Sequence, residues 1–295
     1  MSTLKNLTRD KLASLSLVVI ATIVVVGLFA PFFAPHDPNQ VDMKLRFAHS
    51  SWSYWLGNDH LGRCILSRLI YGIRPSVLWV LATMLASVGV GAIVGFIAGY
   101  FRGKTDAFLM RVCDVMLSFP GYVMTLAVVG ILGAGLENIL IAFVAMKWAW
   151  FARVIRTSVL QYTEKDYVKF SKAIGISNRR IILRHIVPVT FSDIAVIASG
   201  SMCSMILQIS GLSFLGLGIK APNAEWGMML NEAREVMFSR PELMLAPGLA
   251  IVIAVSAFNF LADGLQVALD PKRMKSGKQP QMTEVEKPAY EYARG

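Results

Sequence analysis

The side chains with chemistry to offer in this chain sit in apolar surroundings. Lys147 stands near the middle of an apolar stretch with Trp148 and Trp150 beside it. A cation at such a depth is costly unless it faces a watery cavity or a counter-charge. Lys147, Trp148 and Trp150 are therefore candidates to line a polar path; the alternatives are that the lysine snorkels, or pairs with Glu137 or a partner subunit. In a later apolar stretch Met202, Met205 and Gln208 offer flexible and polar surface, although methionines there are more often lipid or core contacts.

Catalytic and metal patterns are sparse. His60 and Cys64 are four residues apart, on one face of any short helix, with Asp59 adjacent; they are weak metal candidates, since two ligands do not make a site. Cys64, Cys113 and Cys203 lie far apart and show neither a disulfide framework nor zinc spacing. The run Gly99-Tyr-Phe-Arg-Gly-Lys104-Thr105 has three residues between its glycines where a phosphate-binding loop has four, and it follows no buried strand, so ATP binding by this chain is not expected. No HExxH motif or nucleophile elbow is present. With no residue in a catalytic role, no cofactor and no resident metal, the chain does not read as an enzyme.

The elements that hold these residues follow from composition. Of 295 residues 55% are apolar and 16% charged, too few charges to cover a water-soluble globule. A helix needs about 20 apolar residues to cross the hydrocarbon of a bilayer. Six stretches qualify, at 12–33, 76–101, 112–132, 139–159, 189–217 and 243–265, predicting an all-α membrane protein with six transmembrane helices. The first is too long and too proline-flanked for a cleaved leader and reads as a retained anchor. Gly91, Gly95 and Gly99 recur every four residues, a face on which another helix can approach closely.

With both termini cytoplasmic, the inner segments hold twenty Lys and Arg residues and the outer loops eight, which favours this N-in, C-in orientation. The net charge of +10 is thereby assigned to loops facing an anionic lipid leaflet or a protein partner, not to nucleic acid. The resulting divisions are a cytoplasmic N-terminus 1–11, a transmembrane domain 12–270 and a disordered cytoplasmic tail 271–295. The long outer loops are 36–75 and 218–242, and the long inner loop is 160–188.

The inner loop carries the most specific pattern. Lys165, Lys169 and Lys172 fall on one side of a short helix, and Tyr167, Phe170 and Ile174 on another. Gly175 can end that helix in a left-handed cap, Ser177 can cap a second one over 179–185, and Pro188 marks the entry to the fifth span. Two short helices at a sharp angle would project as a rigid knob, with a membrane-surface position as the plainer alternative.

This helix–glycine–helix–proline loop resembles the signature loop of ABC importer permeases, in which a glycine is followed thirteen residues later by proline, as Gly175 is by Pro188. The family's Glu-Ala-Ala triplet is replaced here by Lys169-Phe170-Ser171. The runs Trp55-Leu-Gly-Asn-Asp-His-Leu-Gly-Arg63, Ser67 to Ser76, Leu212 to Gly218, Ala224 to Arg234 and Phe258 to Gly264 resemble the second permease of dipeptide, oligopeptide and nickel importers. Two positions depart from that group. Cys64 replaces an acidic residue, and Ile209 stands where peptide permeases commonly carry glutamate. The segments 147–153 and 221–226 are more similar to nickel and opine-metallophore (metal-staphylopine-like) permeases.

The resemblance implies the type I permease architecture of ABC importers, in a bacterial cytoplasmic membrane. It implies a docking loop, carried by Tyr167, Lys169, Phe170, Ala173, Gly175, Ser177, Arg179 and Pro188, that fits a cleft of an ATPase subunit. The expected partners are a sister permease, two ATP-binding subunits that hold the ATP and Mg, an extracytoplasmic substrate-binding protein and membrane lipid. The expected cargo is a metal–metallophore chelate or a nickel or cobalt complex, with a dipeptide or oligopeptide as the alternative. A secondary transporter would show ionisable residues near the middle of several spans, and only Lys147 qualifies.

Overall fold

Apolar segments of this length must satisfy their own backbone hydrogen bonds when surrounded by lipid, and the helix does so within one segment. A computed structural model describes residues 10–220 and 222–269, and over these the chain is helical, with an isolated two-residue bridge between Asn58 and Cys64 in place of any sheet. The expected tail from Pro271 and most of the expected N-terminal segment lie outside the described residues.

The helices are α1 (Lys11–Leu28), α2 (Ala30–Phe33), α3 (Ile65–Ile73), α4 (Trp79–Phe101), α5 (Gly103–Leu117), α6 (Gly121–Leu132), α7 (Leu136–Thr163), α8 (Asp166–Ala173), α9 (Asn178–Ile181), α10 (Val187–Phe214), α11 (Trp226–Arg234) and α12 (Glu242–Leu269). Among the described residues five continuous helical units are long and apolar enough to cross a membrane, and α5 with α6, counted as one bent span, makes six. The side chains they turn outward are largely apolar, among them Val18, Leu85, Ile93, Ile131, Ile141, Leu249 and Val252, as a lipid-facing surface requires.

Three boundaries differ from those expected. The second span begins at Ile65, because α3 runs into α4 through a π-helical turn at Arg74–Leu78 that contains Pro75. The fifth begins at Asn178, because α9 runs into α10 through a second π-helical turn at Ile182–Ile186, immediately before Pro188. The second short helix of the inner loop is therefore the start of a span, not a separate element. A proline removes one donor from the hydrogen-bond ladder, and a widened turn absorbs the mismatch without ending the helix. The third span is not straight: α5 and α6 meet at 78° across Ser118-Phe119-Pro120. Pro120 pushes the residue before it out of the helical region, so the apolar run continues while its direction changes.

The central packing is α4 against α7. A Cβ on Gly91 would lie 2.6 Å from Phe151 Cβ and 2.8 Å from the Trp148 carbonyl oxygen, and one on Gly95 would lie 2.7 Å from the Ala152 carbonyl oxygen. The glycine stripe lets the two backbones touch, which is how helices bind one another where lipid removes the hydrophobic drive. Around this pair the main core joins Val77, Val80, Phe143, Met202, Met205, Ile206, Ile209 and Phe258 from α4, α7, α10 and α12 and the turn before α4.

Candidate functional site

Two ends and a midpoint are distinguished by their polar groups. At one end α8 stops in a left-handed cap: Gly175 has φ +80°, its N–H donates to Lys172 O, and the Ile176 N–H donates to Ser171 O. This paired closure uses two carbonyls that the helix leaves free. Ser177 occupies the capping position of α9 in extended conformation, but its side chain makes no capping bond; its carbonyl accepts from Ile181 N. Val168, Ile181 and Ile186 are buried beneath the loop against Ile155 and Val159 of α7. Tyr167, Phe170 and Ile174 are left exposed, Phe170 by 65%, with Lys169, Ala173, Gly175, Ser177, Arg179 and Pro188 also on the surface.

The loop is tied down by polar contacts. Tyr100 Oη donates to Asn178 Oδ1 at 2.7 Å, and Lys172 Nζ lies 4.6 Å from the Tyr100 ring centre. Arg102, in a backbone conformation with φ +55° at the junction of α4 and α5, donates to Thr163 Oγ1 and pairs with Glu164 at 2.5 Å; Glu164 also pairs with Lys169 at 3.3 Å. Arg102 first and Lys169 second hold the Glu164 carboxyl below the usual carboxylate range. Next to this group, Asp106 of α5 binds Arg156 of α7 through both oxygens at 2.5 Å, and Asp114 pairs with Arg153.

At the midpoint, the bend between α5 and α6 leaves a cavity of 260 Å³. Lys147 lines it, eleven residues into α7 and so roughly 16 Å from that helix's start at 1.5 Å per residue. Trp150, Met205, Ser201 and Ser204 share the wall. None of the ion pairs among the described residues includes Lys147.

The opposite end carries the two long loops, and charge is buried there. Arg63, 1% exposed, binds Asp59 at 2.6 Å and Glu232 at 2.8 Å; Arg68 binds the same Glu232 oxygen at 3.0 Å. This network joins the loop before α3 to α11, across 169 residues of sequence. His60 lies with Asp59 and Glu232, donor atoms within 4.8 Å of one another. Cys64 is not in that group; it is buried at the capping position of α3. Both carboxylates already face arginines, whose two positive charges disfavour a further cation at the same oxygens. Beside the network Glu225, fully buried, caps α11 by accepting from the Gly227 and Met228 N–H groups and from Ser76 Oγ. Burial raises its carboxyl pKa, against the pull of those donors. A groove of 1260 Å³ opens at this end between α4 and α7, with Arg74, Glu137 and Lys220 on its rim.

Residues 91–275 match the family described as binding-protein-dependent transport system inner membrane component, and residues 2–49 match the N-terminal transmembrane domain of oligopeptide transport permease C. The chain belongs to this permease family. It is 59% identical over 269 residues to the metal-staphylopine import system permease protein CntC of Staphylococcus aureus, covering 91% of this chain and 93% of that protein. It is 38% identical over 257 residues to the nickel transport system permease protein NikC of Escherichia coli, covering 87% and 93%. It is 37% identical over 272 residues to the dipeptide transport system permease protein DppC of Alkalihalophilus pseudofirmus, covering 92% and 89%. The protein is a multi-pass permease subunit of an ABC importer in the cytoplasmic membrane, and its role is transport.

The permease fold gathers some of the expected path residues and separates others. Lys147, Trp150 and Met205 share the midpoint cavity. Trp148 is outside the cavity wall and packs against Cys113, Ala149 and Ala152 of α5 and α7. Met202 is fully buried in the main core, and Gln208, half-buried, is outside the cavity wall. Sequence reading missed the cavity's serines, the arginine pairs of α7 with α5, and the buried cap at Glu225. The Asp106, Asp114, Arg153 and Arg156 charges near the ends of apolar stretches were a usable signal; the partner choice was not.

Proposed function

We propose that this permease is the second of two permease subunits in an importer for a metal chelate, working with a sister permease, two ATP-binding subunits that hold ATP and Mg, and an extracytoplasmic binding protein. The observation that carries this reading is the 59% identity, over nearly the full length of both chains, to a permease of a metal-staphylopine import system. Ile209, buried among Met205, Ile206 and Leu212, adds support, because an apolar core residue stands where peptide permeases commonly carry glutamate.

In this reading α8 and its neighbours face the cytoplasm, as the excess of basic residues on that side favours. The exposed Tyr167, Phe170 and Ile174 form the apolar crest that enters the ATPase cleft, and the Gly175 cap fixes its angle. Closure of the ATPases moves α8; the packing of Val168 and Ile181 on Ile155 and Val159 passes that motion to α7, and the Asp106–Arg156 contact carries it to α5. The loops at the other end receive cargo from the binding protein.

The decisive experiment compares uptake of 63Ni–staphylopine with that of a labelled dipeptide in cells lacking this chain and in cells with it restored. Chelate uptake is expected to disappear and return while dipeptide uptake stays constant. Retained chelate uptake with lost dipeptide uptake would overturn the reading.

A further inference from the structure

We propose that the cavity at the α5–α6 bend is a mid-passage anion subsite, in which Lys147 binds a carboxylate of the chelating ligand and leaves the metal itself untouched. The inference rests on the metal-chelate reading above and assigns one step of it to named side chains.

Three observations converge on this site. Lys147 carries its charge in the middle of a span with no carboxylate paired to it among the described residues. An ammonium group in that position is stable only against water or an anion. The cavity supplies room for either, since 260 Å³ is far above the roughly 10–15 Å³ that one water requires. Its wall then adds a second kind of polarity. Ser201 Oγ donates to Ile197 O at 2.7 Å and Ser204 Oγ donates to Ser201 O at 2.9 Å. With their hydrogens committed to the backbone, these hydroxyls present lone pairs, which accept hydrogen bonds from N–H groups. A cation on α7 and acceptors on α10 match a ligand that bears both carboxylate and amine groups.

The same arrangement argues against direct metal contact. A positive charge repels a metal cation and favours the negatively charged shell around it, so the permease reads the chelator. The bend makes the site temporary. Met116 and Leu117 before the break, Phe119 within it and Gly121 and Thr125 after it all line the cavity, so any change in the α5–α6 angle changes its volume. α5 is in turn pinned to α7 by Asp106–Arg156 and Asp114–Arg153, on the side of the docking loop. A subsite whose walls move with that loop can hold cargo in one state and release it in the next.

The test uses the complete complex in proteoliposomes, with 63Ni–staphylopine delivered by the binding protein. Lys147→Gln is expected to lower ATP-driven uptake at least tenfold while subunit stoichiometry stays at the wild-type value. Lys147→Arg is expected to restore most of the uptake, and Lys147→Glu to abolish it. A lysine that serves only packing or snorkelling would not show this dependence on charge sign. Uptake by Lys147→Gln equal to wild type would overturn the subsite while the metal-chelate reading stands. No uptake by the wild-type complex would instead overturn that reading, and the subsite with it. If Lys147→Gln does not assemble, Ser204→Asp decides the matter. It places a counter-charge in the cavity with the lysine intact, so lost uptake supports the subsite and unchanged uptake overturns it.

Discussion

Charge holds both ends of this permease, but in opposite surroundings. At the end of the long loops, Arg63 and Arg68 are buried against Asp59 and Glu232, and Glu225 is buried with no cation paired to it among the described residues. At the docking-loop end, Arg102, Glu164 and Lys169 are each about half exposed or more. Buried ions are held in one geometry, because breaking a pair strands a charge in a low dielectric. Exposed ions exchange readily with water and salt and contribute little rigidity. The first end is built as a fixed frame, which in the proposed reading surrounds the entrance, and the second is loosely held, as the proposed attachment to an ATPase would need.

The largest expected effect tests the frame. Glu232→Ala leaves Arg63 and Arg68 facing each other with Asp59 as the one remaining carboxylate, and breaking a buried network of this kind costs about 3–5 kcal/mol. The variant is expected to fall sharply in accumulated protein and in the thermal midpoint of the purified complex. Glu232→Gln, which keeps the acceptor oxygen, should recover part of the loss. A Glu232→Ala complex as stable as wild type would show that the loops are anchored by packing alone.

Gly175→Asp tests the attachment, with an effect on coupling that exceeds its effect on folding. At φ +80° a side chain is strained by roughly 1–2 kcal/mol, less for aspartate, which tolerates the left-handed region. No atom of the described residues lies near enough for a Cβ at Gly175 to touch, so the fold is expected to survive. The new carboxylate stands beside the apolar crest, where a charge is expected to weaken ATPase docking. ATP-driven uptake should fall by an order of magnitude or more with the permease pair still assembled. Normal uptake in an assembled Gly175→Asp complex would remove this loop from the coupling path.

How much of this was visible in the amino-acid sequence depended on how local each cause is. Apolar length revealed the spans, the four-residue glycine period revealed the α4 face, and the left-handed cap at Gly175 follows from one residue. Hydropathy, however, counts length and is blind to direction, so the 112–132 stretch concealed the 78° bend that creates the cavity. Whether Trp148 or Trp150 shares a wall with Lys147 depends on how α7 is rotated against α5 and α10. That rotation is set by which side of α7 the glycines of α4 admit. The Arg63–Glu232 pair joins residues 169 apart, and no local pattern selects one glutamate among many at that separation.

The two carboxylates with opposite pKa displacements give the smallest effects and the cleanest contrast. Glu164 is held below its unfolded value by Arg102 first and then Lys169. Its stabilisation is therefore present above the unfolded pKa and is lost as pH falls through the folded one. Glu225 is displaced upward by burial, against its hydrogen bonds to Gly227, Met228 and Ser76. Its balance runs the other way: full below the unfolded pKa, and diminishing as pH rises through the folded one. Glu164→Gln should remove an acid-side loss of loop anchoring, read as hydrogen exchange of residues 164–176, and salt at 1 M, where the screening length is about 3 Å, should mimic the substitution. Glu225→Gln should flatten the decline of the thermal midpoint with rising pH, and salt should not reproduce it, because no counter-ion reaches a fully buried group. If salt acts equally on both, the two ends do not differ in dielectric. The division between fixed frame and loosely held attachment would then have to be sought in helix packing.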